Sequence, residues 1–389
     1  MKVFALGGSG SVGQSACHIL AADDLASEII VAGRNVEAAE RVASRLGGKG
    51  TAVQADATDE SQLASLAAKC DIIVNTAGPD FKVPLPAVRA AIAARTHYCD
   101  IGGHGPMTER VLGLDGDARA AGITVVPGIG IAPGVTNLMA MHAAGQLDET
   151  EEVEFGYCWR PEFLRQDTAE MRRSARIDAG WQTVFRYTSG RVRCYRDGRM
   201  TDVNALESGT EVTLPQTGTV VTAYPVGSSE PLTLPRYLAG VRKVSALMGF
   251  FPPQLNDVFR RHALRLSAGG VDEAEAALSF LEAVADEMRG WAAPQEGFPW
   301  VPVWATALGR KGGRRARYSC WPTALWGLMT GGAVAVAALK IMRGEIRQSG
   351  VLPPEACLEP MPFFAEMAQH GFQQPPDGKL LGESFEVVD

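Results

Sequence analysis

Three glycines near the start of the chain carry the clearest chemical signal. Gly8, Gly10 and Gly13 stand in G-x-G-x-x-G spacing, after the β-prone run Lys2 to Leu6 and ahead of a helix beginning near Val12. Each has its own physical reason. Gly8 permits a tight turn, Gly10 leaves room for a pyrophosphate against the backbone, and Gly13 lets the helix approach the strand. Ser9, Ser11 and Val12 complete a loop whose unpaired N–H groups and helix dipole favour an anion. The spacing alone is a weak signal. Placed between a strand and a second β-rich run, it predicts a dinucleotide site rather than a glycine turn of purely structural use.

The second run, EIIVAG at 28–33, tests which dinucleotide. A site for NAD places a carboxylate at the end of this strand, for the ribose hydroxyls. Here the chain continues Arg34-Asn35. An arginine there can pair with a 2′-phosphate and stack on adenine, so the expected cofactor is NADP; the competing reading of Arg34 is a solvated surface charge. Glu37 falls in the first helical turn, where the dipole explains it. Asn35 can also cap that helix. Asp56, ending the third strand, is a candidate for the adenine amino group. Asn75, Thr76, Ala77 and Gly78 end the fourth strand and are expected to run under the nicotinamide ribose, where backbone contact needs small residues.

Alternating strands and helices must position these residues. Helices are expected over 36–46, 59–68, with Asp59 and Gln62 in capping-box spacing, 84–94 and 108–121. Strands are expected at 51–56, 71–79, 96–103 and 124–127, giving a Rossmann-type α/β parallel sheet. Two Pro-Gly steps in PGIGIAPGVTNLMAMHAAG, residues 127–145, feed a helix starting near Pro133 or Gly134. From 151 to 320, EVEFGYCW, QTVFRYT, VTAYPV and VWATAL read as strands and 255–268 and 271–289 as helices, together an α+β domain. RKGGRRAR at 310–317 reads as a hairpin tip. Residues 323–342 are apolar enough to approach a membrane span, but Gly331 and Gly332 interrupt them, and a buried helix between the domains fits better. A short helix is expected at 360–369. The predicted domains are 1–130, 131–325 and 326–389.

Composition bounds the class. The net charge of −7 over 389 residues argues against a chain that coats nucleic acid. Seven scattered cysteines have no zinc-site spacing, and no secretory leader precedes the first motif, so reduced thiols in a cytoplasmic setting are expected, with no membrane anchor.

LGGSGSVG at 6–13, AGRN at 32–35, NTAGP at 75–79, HYCDIGG at 97–103, PGIGIAPGVTN at 127–137 and GVLPPE at 350–355 together resemble the saccharopine dehydrogenase-like superfamily, including its lysine 6-dehydrogenase relatives. The resemblance implies that the α+β substrate and dimerisation domain is inserted into the nucleotide domain, and that the carboxyl-terminal helices return to the latter. It also implies a homodimer and a small-molecule, amino-acid-like substrate. Hydride would pass to or from an imine or amine carbon. Alternatives are an NADP-dependent carbonyl or enoyl reductase acting on a different substrate, and a noncatalytic nucleotide-binding redox sensor.

That chemistry needs a carboxylate anchor, a dry nicotinamide face and a route for one proton. Tyr98 is the candidate to hold or relay the proton, Asp100 to orient the amine and Asn137 to bind a substrate oxygen. Their competing readings are a core tyrosine, a turn cap and a helix-entry residue. Strand alternation puts Tyr98 and Asp100 on the face opposite Cys99, which is expected to pack. His97 and His104 are weaker candidates for proton carriers, Arg160 and Arg165 for a carboxylate clamp, and His142 reads as a packing residue. No metal is expected.

Overall fold

β1 (Lys2–Leu6) is buried from Val3 onward, as a central parallel strand must be. In this computed structural model, which describes residues 1–160, 168–174, 177–289, 303–324, 329–370 and 376–388, six further strands join it. They are β2 (Glu28–Gly33), β3 (Gly50–Gln54), β4 (Ile72–Asn75), β5 (His97–Asp100), β6 (Thr124–Val126) and, late in the chain, β15 (Gly350–Val351). All pairings are parallel, in the order β15-β6-β5-β4-β1-β2-β3. Read from β3, this is the 3-2-1-4-5-6 order of dinucleotide-binding sheets, and its direction reverses between β1 and β4.

The crossovers are α1 (Ser11–Ala22), α2 (Val36–Ala43), α3 (Glu60–Ala67), α4 (Pro84–Ala94) and the pair α5 (Gly105–Leu112) and α6 (Asp115–Ala121). The expected single helix over 108–121 is therefore two. Asn35 caps α2, its side chain accepting from the Ala38 N–H at 2.8 Å. The capping box at α3 is only half made. Asp59 accepts from the Gln62 N–H, but the Gln62 side chain accepts from the backbone N–H of Asp56.

Contacts divide the chain into two compact units, Met1–Leu138 with Ala324–Leu380, and Met139–Thr323 with Leu381–Asp389. The second is an insertion into the first. Two boundaries differ from the sequence reading. The first crossing falls inside α7 (Val135–Ala144) rather than at residue 130, because the helix carries the chain across without a linker. The last nine residues return to the inserted unit through a strand, so the carboxyl-terminal region is not helical throughout. The apolar segment near 323–342 becomes a buried helix, Thr330–Met342, that belongs to the first unit and packs on its sheet. Residues 325–328 of that segment lie outside the described residues. A Cβ on Gly331 would come within 2.7 Å of the Ser15 side chain on α1, which explains the glycine at this close approach. Among the described residues no helix is long and apolar enough to cross a membrane.

The inserted unit is a nine-stranded sheet. Its strands are β7 (Glu149–Trp159), β8 (Arg191–Arg196), β9 (Arg199–Asn204), β10 (Thr210–Thr213), β11 (Val220–Pro225), β12 (Lys243–Phe250), β13 (Val303–Lys311), β14 (Arg314–Pro322) and β16 (Leu381–Val387). The order is β10-β11-β12-β7-β13-β14-β16, with β8 on β12 and β9 on β8; β12 and β7 are parallel and the other pairs antiparallel. The basic run is the predicted hairpin tip, with Gly312 and Gly313 both at positive φ, as a two-residue turn of this type requires. QTVFRYT is the clearest misreading. It forms the helix Ala179–Tyr187, capped by Asp178, because Trp181, Val184 and Phe185 make a helical stripe against an aromatic cluster with Phe259 and Phe280.

Candidate functional site

The site is built at the carboxyl edge of the parallel sheet, around the turn between β1 and α1. Gly7, not Gly8, takes the left-handed conformation, at φ +78°. A Cβ there would meet the Ala77 N at 2.4 Å. Gly8 is needed for packing instead, since its Cβ would press on the Ala5 carbonyl at 2.9 Å and on Cys17 and Val31 at 3.1 Å. Gly13 lets α1 sit against the turn, where a Cβ would meet the Gly7 carbonyl at 2.3 Å. Gly10 differs from all three. Among the described residues its only close neighbour would be the Gly7 carbonyl, at 3.4 Å, and it is exposed together with Ser11. The other glycines are therefore occupied by the protein's own backbone, whereas Gly10 opens onto free space.

α1 begins at this opening with Gly10 as its N-cap, with no side-chain cap and no acidic residue in its first turn. The first-turn N–H groups of Ser11, Val12 and Gly13 have no intrahelical partner, and nothing negative competes for them. Ser9 lies alongside, its carbonyl accepting from the Gln14 side chain at 2.9 Å and its hydroxyl 3.1 Å from where a Cβ of Gly33 would be. These residues fit a diphosphate, and the fit rests on the cradle at Gly10.

At the end of β2, Arg34 is exposed and its guanidinium makes no hydrogen bond or ion pair among the described residues. Asp56, ending β3, turns its carboxylate onto the Thr58 N–H at 2.8 Å and the Thr58 hydroxyl at 2.7 Å. These bonds, helped by the nearby Arg34 charge, hold its pKa below the ordinary carboxylate range. Asp56 thus shapes its own turn and leaves the Arg34 guanidinium available.

Beyond β4, the turn at Asn75 to Gly78 lies directly against the glycine turn. Thr76 donates its N–H to the Leu6 carbonyl at 2.8 Å, and its hydroxyl oxygen would be 2.7 Å from a Cβ on Gly13. Asn75 is buried. Its Oδ1 accepts from the Ala77 N–H at 3.0 Å and its Nδ2 donates to the Tyr98 hydroxyl at 2.8 Å. Tyr98 in turn donates to Asp100 Oδ2 at 2.7 Å, and Asp100 Oδ1 accepts from the N–H groups of Gly102 and Gly128 at 2.9 and 2.8 Å. One hydrogen-bonded chain therefore links the turns after β4, β5 and β6.

Tyr98 and Asp100 share a face, as alternation predicts, and Cys99 points the other way, its thiol 3.8 Å from the Val334 carbonyl. Both polar residues are fully buried, at 0% and 1% exposure, so their side chains meet each other rather than a ligand. Burial pushes the Asp100 carboxyl up to about 6, against the opposing pull of its three hydrogen bonds. Burial and the adjacent Asp100 charge keep the Tyr98 phenol well above its ordinary value. A buried phenol that rises this far holds its proton firmly.

Three other candidates take structural positions. Asn137 is 1% exposed with both ends of its amide engaged, Oδ1 by the Gly134 N–H and Nδ2 by Glu355, each at 2.8 Å. That is helix entry, not a free substrate ligand. His97 opens β5, at the opposite edge of the sheet from the glycine turn, and its Nδ1 accepts from the Thr124 N–H; burial lowers its pKa. His104 caps α5, with its ring against Phe81. Arg160 is buried, while Arg165 lies outside the described residues. His142, read as packing, is bonded to Glu383 at 2.7 Å in the inserted unit. Sequence reasoning missed Asp80. It is buried and its Oδ2 accepts from the N–H groups of Gly103 and His104, fixing the turn after β5. Its position after Gly78-Pro79 was the available signal.

The comparisons with known proteins agree with this geometry. Residues 3–126 match the family model described as the saccharopine dehydrogenase NADP binding domain. The apo saccharopine dehydrogenase (L-Glu forming) of Saccharomyces cerevisiae superposes with a TM-score of 0.68 at 17% identity, covering 99% of this chain and 100% of that one. The chain has a saccharopine-dehydrogenase-like fold, and its residues 3–126 match an NADP binding domain. Two curated relatives from Mycobacterium tuberculosis, strains H37Rv and CDC 1551, are each provisionally named a trans-acting enoyl reductase. Each is 35% identical over 107 residues, 27% of this chain. The match spans 25% of the length of those relatives. NADP is the cofactor that the matched domain binds, as Arg34 led us to expect.

Proposed function

We propose that this chain is an NADP-dependent dehydrogenase or reductase that moves hydride to or from a nitrogen-bearing carbon of a small, amino-acid-like substrate. The observation that carries the reading is the open Gly10 cradle at an uncapped helix mouth, with Arg34 at the end of β2 exposed and without an ion pair among the described residues. When bound, NADP supplies a hydride donor or acceptor. The chain's own residues do the rest. The N–H groups of Ser11, Val12 and Gly13 take the diphosphate, and Arg34 takes the 2′-phosphate, with the turns around Asn35 and Asp56 bounding the adenosine end. Thr76, Ala77 and Gly78 line the path toward the nicotinamide. Tyr98 and Asp100 act as positioning residues, holding the Asn75, Gly102 and Gly128 turns through which substrate geometry is set.

A second reading, an NADP-dependent enoyl reductase, draws support from the two mycobacterial relatives. One experiment separates the readings. NADPH oxidation is followed at saturating cofactor with an amino acid or amine paired with oxo acids, and in parallel with α,β-unsaturated thioesters. Turnover with the amine-dependent panel supports the first reading, and turnover with thioesters alone supports the second. NADPH binding without turnover on either panel leaves a nucleotide sensor. A homodimer is proposed on the strength of β16, an edge strand that exposes Phe385 at 50% and Val387 at 40%. A reducing, cytoplasmic setting is supported by seven free cysteines.

A further inference from the structure

The inserted unit contains a cavity of about 590 Å³, within the range of small-molecule sites. It lies over one face of the sheet at the amino ends of β7 and β12, the end opposite to that where β14 finishes and β16 begins. Register places its charges. Glu152 is opposite Lys243 and Glu154 opposite Ser245, all on one face by alternation. Arg196 lies one residue beyond the Tyr195–Val244 pair, beside Lys243.

The charges in this cavity pair only in part. Glu152 is held by Lys243 at 2.9 Å, and Glu151 lies 3.8 Å from Arg310. Glu154 makes no ion pair or hydrogen bond among the described residues, and burial raises its carboxyl pKa. Arg196 likewise has no ion pair, and its Nε is buried without a hydrogen-bond partner. Arg242 is an exposed lining residue with no ion pair among the described residues, and Asp197 is exposed on the neighbouring turn. A buried, unpartnered guanidinium nitrogen needs an acceptor, and a half-buried carboxylate needs a donor. An anion alone would satisfy Arg196 and be repelled by Glu154; a cation alone would meet the reverse. Strand spacing separates the two Cα atoms by roughly 12 Å, which two long side chains reduce to the span of a small ligand.

We propose that this cavity binds an amino-acid zwitterion, its carboxylate taken by Arg196, with Arg242 in the lining, and its ammonium taken by Glu154. The proposal goes beyond the nucleotide reading and stands apart from it, because every lining residue belongs to the inserted unit.

The test is calorimetric titration of the full chain, saturated with NADPH, using L-glutamate and L-lysine as probes and glutarate and cadaverine as single-sign controls. At least one amino acid binds, and the matching control binds at least tenfold more weakly. Arg196→Gln and Glu154→Gln each weaken that binding by roughly tenfold or more, the loss of one charge-assisted contact. NADPH affinity stays within twofold in both variants, and Arg196→Lys retains binding within a few-fold. Absence of amino-acid binding overturns the proposal. So does binding insensitive to both substitutions, which would place the amino acid elsewhere, and glutarate binding as tight as glutamate, which would make this a plain anion site. Dissociation of a dimer by Arg196→Glu, without amino-acid binding in the parent chain, would instead make a second copy the occupant.

Discussion

Replacing Arg34 by alanine tests the cofactor assignment at the point where sequence and structure agree most closely. The guanidinium is exposed and free of ion pairs among the described residues, so its removal disturbs no contact that holds the fold. A phosphate monoester carries close to two negative charges at neutral pH, about −1.5 to −2. A charge-assisted hydrogen bond to such a group contributes about 1.5–3 kcal/mol, and an exposed site keeps the lower part of that range because water and salt screen it. Arg34→Ala should therefore cost NADPH about 1.5–2 kcal/mol, a loss of roughly tenfold to thirtyfold in affinity. NADH has no 2′-phosphate and should lose no more than about threefold, from adenine stacking alone. Titration calorimetry of both dinucleotides at matched ionic strength measures the difference, which should shrink as salt rises. Arg34→Lys keeps a point charge without the planar fork and should fall between the two. Equal losses for NADPH and NADH, or none for either, would refute the 2′-phosphate role.

Gly10→Ala should leave the apo chain within about 1 kcal/mol of its parent stability, because the new Cβ meets only the Gly7 carbonyl at 3.4 Å. The same change should lower NADPH affinity at least tenfold; unaltered affinity would move the diphosphate away from this turn. Gly13→Ala should lower stability and binding together in denaturant titrations, since its Cβ would sit 2.3 Å from a backbone oxygen. Tyr98→Phe strands the Asn75 amide and one Asp100 oxygen in the interior and should cost about 2–4 kcal/mol by chemical denaturation. Asp100 supplies a pH signature. Its pKa is raised to about 6 in the fold, so the stability it contributes is full below the ordinary carboxyl pKa and is lost as pH rises through 6. Measured against Asp100→Asn, wild-type stability should fall by about 2 kcal/mol between pH 4 and pH 6.5, out of about 3 kcal/mol over the whole titration, and then level off. Parallel stability curves for the two proteins would remove that assignment.

The nucleotide half was readable because its constraints are local. A glycine forced by backbone contact, a strand ending without a carboxylate and an asparagine at a cap each leave a mark within a few residues. Even so, the tight turn assigned to Gly8 belongs to Gly7. The motif spacing names which glycines recur, whereas the positive φ at residue 7 is set by contact with Ala77, seventy residues away. QTVFRYT failed for a related reason. Its β-branched and aromatic content favours a strand, and only the aromatic cluster formed with Phe259 and Phe280 selects the helix. Tyr98 and Asp100 were found as a pair by alternation. Their burial was not legible, because it depends on the closure of loops that bring Gly102 and Gly128 onto one carboxylate.

That closure gives the two aspartates of this region structural work. Asp80 holds the turn after β5 from one side through Gly103 and His104, and Asp100 holds it from the other through Gly102, while also reaching the loop after β6. Asp80 Oδ2 and Asp100 Oδ1 each accept from two backbone N–H groups, whose release into the interior would cost about 1–3 kcal/mol each, and Asp100 Oδ2 is taken by the Tyr98 hydroxyl. The same turns are joined through Tyr98 and Asn75 to the segment that touches the glycine turn. A proton donor facing the substrate is therefore sought among side chains that this buried chain supports, since the chain itself has no free valence with which to react. Asp100→Asn should on this view lower turnover more than NADPH affinity: the diphosphate is held by the amino end of α1, and the Asp100 bonds end in loops beyond β5 and β6.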